Sequence, residues 1–225
     1  MEKLNHYNKS EVIDKFEINR IFDCMQLNDW LTTPTGELRA SQQEFLGEAR
    51  QHLAQKWGDW NEEELKMNFI SIVFFVAQVD EPKRISTYYE RKFAGEVNDI
   101  AISLVVDCML ASPTYSGQPK FPYFFLQEFK QSLSDGHDPE GQMLAAMILA
   151  QEFNKDGKPL YGCWVQGRFW YFTILSEKDY CVSEPFNATN ADDLLQIVFI
   201  LRKLKELILG RFPAGTHKTG GTMSL

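Results

Sequence analysis

Two short apolar runs, residues 105–111 (VVDCMLA) and 122–129 (PYFFLQEF), each hold one carboxylate, Asp107 and Glu128. Lys130 follows Glu128 at a spacing of two. Strand side chains alternate between faces, so Glu128 and Lys130 share one face and Gln127 and Phe129 the other. An ionised carboxylate in an apolar run is costly unless it is paired or holds a metal. Two of them beside a lysine, on neighbouring strands, make a candidate divalent-cation site. The donors are hard oxygens, which suit Mg²⁺ or Mn²⁺. Asp107 and Glu128 are the candidate ligands, with the backbone carbonyl of Phe129 as a further one. Such an ion lowers the pKa of a bound water and stabilises a leaving oxygen. Lys130 is then placed to orient or deprotonate that water, or to neutralise charge in the transition state. The other reading of the same residues is a buried structural ion pair of Lys130 with Glu128 or Asp107.

The elements that must position these residues follow from the rest of the chain. Residues 1–20 are polar and form a short helix or an arm; 21–31 are mildly amphipathic, and TTPTG at 32–36 breaks the chain. Ser41, with Glu44 at capping-box spacing, opens a helix that runs to about Lys56. Asn61 opens a second, ending near Gln78, with Glu62, Glu63 and Glu64 in its first turn. There Glu64 closes a capping box on Asn61, and acidic residues suit the positive end of the helix dipole. One of the three is also a candidate for a catalytic role. Alternation over 88–102, broken at Gly95 and at the Asn98-Asp99 turn, leads into 105–111. With residues 122–130 this predicts three or four consecutive strands in an antiparallel meander. Asp138-Pro139 is an N-cap followed by a first-turn proline, opening a helix over 140–153. Strands at 160–165 and 168–175 flank a Gln166-Gly167 turn, and a short strand is expected at 180–183. Asn190 caps a last helix, whose Leu194, Ile197, Val198, Leu201, Leu204 and Ile208 follow the helical period. The expected fold is α/β with a mixed sheet (α+β) over residues 41–210. Residues 1–40 form an N-terminal arm or helical extension, and 211–225 a disordered tail.

The order of glutamate-headed helix, strands, Asp107, Glu128-x-Lys130, helix and strand resembles the PD-(D/E)xK nuclease superfamily. Within it the likeness is to the N-terminal nuclease domain of type I restriction enzyme motor subunits and to small standalone bacterial relatives. It covers residues 60–208. NEEELKMNFI looks like the first, motif-bearing helix of that family, and VVDCMLA and PYFFLQEFK look like its second and third motifs. DPEGQMLAAM is similar to the helix in which related nucleases carry a functional glutamine, here Gln142. The resemblance implies a restriction-endonuclease-like core, α-β-β-β-α-β, and Mg²⁺-dependent phosphodiester hydrolysis on DNA rather than RNA. It puts Asp107, Glu128 and Lys130 at the centre, supported by Gln142 and a first-helix glutamate, Glu64 ahead of Glu62. Val106 stands where the motif often has proline, and no GxxxxGK[ST] phosphate loop occurs, so the chain is no DNA-translocating motor by itself. An acidic balance is also unusual for a DNA-cutting enzyme. These departures favour the alternative, a catalytically inactive nuclease-fold protein serving as a binding or assembly module. Its partner would be a second copy or a larger bacterial protein.

Composition narrows the class. The 225 residues are 44% hydrophobic and 13% aromatic, enough for a substantial core, and the net charge is -8. Binding to nucleic acid through overall charge is therefore not expected. Cys24, Cys108, Cys163 and Cys181 are widely spaced, without a CxxC pair; three lie in apolar or aromatic runs and read as buried free thiols, in a reducing cytoplasm. The polar N-terminus reads as no signal peptide, and no apolar run approaches the roughly 18 residues of a membrane span. The four histidines have no ligand spacing. Trp164, Phe169, Trp170, Tyr171 and Phe172 could stack on bases, though their alternation in a hairpin fits core packing better. Arg168 reads as a solvated turn residue, and Arg202, Lys203 and Lys205 as the solvated face of the last helix. Lys83, Arg84, Arg91 and Lys92 are the densest basic cluster and the candidate phosphate-facing surface.

Overall fold

Asn98 and Asp99 set the register of the sheet. Both adopt left-handed backbone conformations, with φ of 51° and 63°, which short polar side chains tolerate. They close a two-residue turn between β3 (Ser86–Val97) and β4 (Ile100–Pro113). Val97 thus pairs with Ile100, and the antiparallel ladder continues to Ser86 opposite Ala111. β5 (Pro119–Lys130) runs antiparallel on the other side of β4. The expected meander is therefore present. Gly95 does not break it. It lies inside β3, where a Cβ would stand 2.8 Å from side-chain atoms of Leu149 and Phe153, so the absent side chain lets a helix approach.

That helix is α6 (Pro139–Asn154), the crossover to β6 (Leu160–Gln166), which pairs parallel with β5. Asp138 caps it, accepting from the Gly141 N–H at 3.1 Å. Every residue from Met143 to Ala150 is buried, because one side of α6 meets the sheet and the other meets α1 (Lys9–Phe16) through Val12 and Phe16. The sheet continues through β7 (Phe169–Ser176) and β8 (Asp179–Val182). The β6–β7 turn is Gly167-Arg168, one residue later than the sequence suggests; the left-handed φ of 57° falls on Gly167. A short β9 (Phe186–Asn187) adds to β7.

The N-terminal residues are woven into this sheet. β2 (Asn19–Ile21) pairs parallel with β8, and β1 (Glu2–Lys3) with β4. The opposite face of the sheet is covered by α2 (Met25–Leu31), α3 (Ala40–Lys56), α4 (Glu62–Leu65), α5 (Ser71–Ala77) and α7 (Ala191–Leu209). The result is a mixed α/β fold, parallel and antiparallel in one sheet, with a hydrophobic cluster on each side. The computed structural model describes residues 2–3, 7–32, 36–130 and 138–212. The expected disordered tail lies almost wholly outside them. No helix among the described residues is long and apolar enough to cross a membrane.

Candidate active site

The β4–β5 ladder runs from Pro113 and Pro119 to Cys108 and Gln127. One residue beyond, Asp107 replaces a backbone acceptor with its side chain: Oδ2 accepts the Phe129 N–H at 2.8 Å. Glu128 is beside it, 2% exposed. Its Oε1 is buried without a hydrogen-bond partner among the described residues. Burial first, then the charge of Asp107, push the Glu128 pKa well above the usual carboxylate range, and Lys130 only partly opposes them. Asp107 is raised too, by burial, although the Phe129 N–H and Lys66 pull it down. The two carboxyls expected to converge do so, on strands that hold them at the end of a ladder.

The cations come from both sides. Lys130, at the end of β5, donates from Nζ to Glu62 Oε2 at 2.9 Å. Lys66 places its Nζ 2.6 Å from Glu90 Oε1, 3.0 Å from Glu63 Oε1, 3.1 Å from Glu62 Oε1 and 3.3 Å from Asp107 Oδ1. It also lies 5.8 Å from the centre of the Phe129 ring. Burial would lower the Lys66 pKa, but Glu90, Asp107, Glu63 and Glu62 outweigh it and raise the value, so the ammonium stays charged. Burial likewise raises Glu62, yet Lys130 and Lys66 outweigh it and hold the acid below its ordinary value. Two lysines thus face five carboxyls.

A local irregularity brings Lys66 in. Between α4 and α5 the helix widens into a π turn, Lys66–Ile70, closed by the Ser71 N–H bonding the Lys66 carbonyl five residues back. Such turns are rare and occur often at functional sites. Glu90 arrives by register. Tyr89 pairs with Cys108 and Arg91 with Val106, so Glu90, itself left-handed at φ 50°, stands opposite Asp107.

The sequence-predicted residues divide cleanly. Asp107, Glu128 and Lys130 meet; of Phe129 it is the N–H, not the expected carbonyl, that bonds Asp107. Glu64 is used elsewhere: its Oε2 accepts the Asn61 N–H at 2.8 Å while its own N–H donates to Asn61 Oδ1 at 2.9 Å. The capping box engages it, and Glu62 and Glu63 are the first-helix glutamates in the cluster. Gln142 sits in the first turn of α6 with Oε1 buried and unpartnered among the described residues. Among the described residues it makes no hydrogen bond to Asp107, Glu128 or Lys130. Lys66 and Glu90 were not singled out by sequence. The available signals were the i+3 and i+4 spacing of Lys66 from Glu63 and Glu62, and the hairpin register that carries Glu90 to Asp107.

No family model matches this chain, and no curated protein does. Its chemistry rests on the residues themselves. Among the described residues no group of three or more His, Cys, Asp or Glu side chains is set to hold a metal. A cation here would rely on the Asp107 and Glu128 carboxyls, completed by a backbone carbonyl and water.

The remaining candidates have structural work. Trp170 and Phe172 are fully buried, and Trp164 stacks on Tyr171 with ring centres 4.8 Å apart. Arg168 is not a free turn residue, for its guanidinium lies over Trp57 and Phe169. Lys205 and Arg202 are not merely solvated: they bond the Gln78, Asp80 and Val76 carbonyls around the end of α5. Of the basic cluster, Arg84 lies over Phe212 and Arg91 over Tyr88.

Proposed function

We propose that this chain is a metal-dependent phosphodiester hydrolase of restriction-endonuclease-like fold, acting on nucleic acid, with DNA as the first substrate to test. The fold half of the reading is supported by the element order. A helix, three antiparallel strands, the α6 crossover and a parallel strand agree with the α-β-β-β-α-β core that the resemblance implies.

The observation that carries the reading is Glu128 Oε1: a buried carboxyl oxygen with no partner among the described residues, beside Asp107, in a cluster where acids outnumber bases. Buried polar groups are normally satisfied, and an exception calls for a ligand or a functional reason. Hard oxygen donors fit Mg²⁺ or Mn²⁺. Asp107, Glu128 and the Phe129 carbonyl are the residues that would hold it. A bound ion of this class lowers the pKa of its water and screens a phosphate. The protein's own share is positional. The Phe129 N–H orients Asp107, and Glu62 anchors the Lys130 ammonium. Lys130 is left to hold a water or to face the charge that grows on the phosphate. The test is cleavage of plasmid and single-stranded DNA with Mg²⁺ or Mn²⁺. Activity lost in Glu128→Ala supports the reading. No cleavage of any nucleic acid at high protein and Mn²⁺ sinks it.

Lys66 favours a second reading, the inactive nuclease-fold module, because its ammonium already satisfies Asp107. In that case wild-type protein shows neither cleavage nor a Mn²⁺-dependent rise in melting temperature.

A further inference from the structure

The geometry assigns to Lys66 the role of a built-in competitor for the metal, an ammonium that must leave Asp107 before a divalent cation can bind there. The inference rests on the metal site proposed above. Both oxygens of Asp107 are engaged: Oδ2 by the Phe129 N–H at 2.8 Å and Oδ1 by Lys66 Nζ at 3.3 Å. The first bond belongs to the strand backbone and holds the carboxylate in place. The second is the one a metal would have to replace. A divalent ion on Oδ1 and an ammonium on the same atom would repel each other at close range in a buried setting.

Lys66 has somewhere to go. Three other acids hold it: Glu62 at 3.1 Å, and Glu63 and Glu90, which lie toward solvent with side chains 71% and 51% exposed, whereas that of Asp107 is 8% exposed. The Glu63 and Glu90 oxygens are also the nearer ones, at 3.0 and 2.6 Å. The ammonium can therefore give up the inner acid and keep the outer two. Its backbone sits at the start of the π turn, where the regular helical pairing is already interrupted. Lys66 and the ion are thus alternative cations for one acidic pocket. The lysine sets a threshold of metal concentration below which the pocket satisfies itself.

The experiment is a Mn²⁺ titration of the full chain by calorimetry, comparing wild type with Lys66→Met, which keeps the length of the side chain and removes its charge. Tighter binding in Lys66→Met, by about ten-fold or more, supports the inference, as does binding in the variant where wild type shows none. Asp107→Asn in either background should abolish that binding. Binding that is lost in Asp107→Asn but equal or weaker in Lys66→Met overturns the inference and leaves the metal site standing. No binding in either protein overturns both. Should Lys66→Met fail to fold, wild type decides through acylation of Lys66 by an amine-reactive reagent, read by mass spectrometry. Saturating Mg²⁺ should raise the Lys66 reaction rate several-fold; an unchanged or slower rate overturns the inference.

Discussion

Two buried carboxyls in this molecule are treated in opposite ways. Glu140, in the first turn of α6, is almost fully enclosed and fully answered. Lys9 Nζ stands 2.9 Å from Oε2, and Arg20 and the Tyr180 hydroxyl reach Oε1 at 4.0 and 3.4 Å. The three partners come from α1, β2 and β8, so the glutamate ties the N-terminal residues to the crossover helix. Glu128 is more deeply buried, yet its Oε1 has no partner among the described residues. The chain can therefore satisfy both oxygens of a buried acid, and for Glu128 Oε1 no described residue does so. A purely structural ion pair, Lys130 with Glu128, would have looked like Glu140. Instead Lys130 turns to Glu62.

The contrast predicts opposite mutational signatures. Glu128→Ala should abolish metal-dependent cleavage, by about 100-fold or more, while leaving the melting temperature near or above that of wild type. Glu140→Ala should do the reverse. It leaves Lys9 and Tyr180 without their acceptor and should cost about 1–3 kcal/mol of stability, read by chemical denaturation, with cleavage by the folded protein unchanged. Equal loss of stability in both variants would break the distinction.

The next effect is in pH. The folded Glu128 pKa is raised above the usual 4.5, so folding binds this proton more tightly than the unfolded chain does. Its stabilising share is complete below about pH 4.5 and is lost as pH rises through the raised folded value. Glu128→Gln removes that titration. In a chelating buffer its melting temperature should gain on wild type as pH is raised from 5 to 9; a constant offset would mean that the carboxyl is paired after all. If Glu128 holds a metal as proposed, that binding should tighten over the same range, because a carboxyl ligand must lose its proton first.

Much of this arrangement was legible, for physical reasons that also mark where legibility ends. Asp107, Glu128 and Lys130 stood out because charge is conspicuous in apolar strands, and the Asn98-Asp99 turn fixed the strands that carry them. Lys66 did not stand out. A lysine after three glutamates on a helix suggests a solvated face, and only the π turn, which no simple periodicity encodes, turns it inward. Glu90 was within reach: a two-residue turn at 98–99 pairs 97 with 100 and hence 90 with 107. The parallel docking of β2 on β8 joins segments about 160 residues apart, and no local pattern announces it. Glu64 shows a further limit: its capping box is legible in the sequence, and a carboxylate committed to the Asn61 N–H is not free for a second role.

That last point yields the smallest effect. Glu64→Ala removes one half of the capping box and should cost about 0.5–1 kcal/mol of stability, with Mn²⁺ affinity unchanged. Glu62→Gln, two residues earlier on the same turn, should leave the cap intact. It weakens the hold on Lys130 and Lys66, where both contacts are short. Its stability change should be small, because the side chain is a third exposed and such pairs are screened, but cleavage should fall about ten-fold as Lys130 loses its anchor. If Glu64→Ala instead lowers metal affinity and Glu62→Gln does not, the cluster is centred on the wrong glutamate. Lys130 would then be held by something other than Glu62 when substrate is bound.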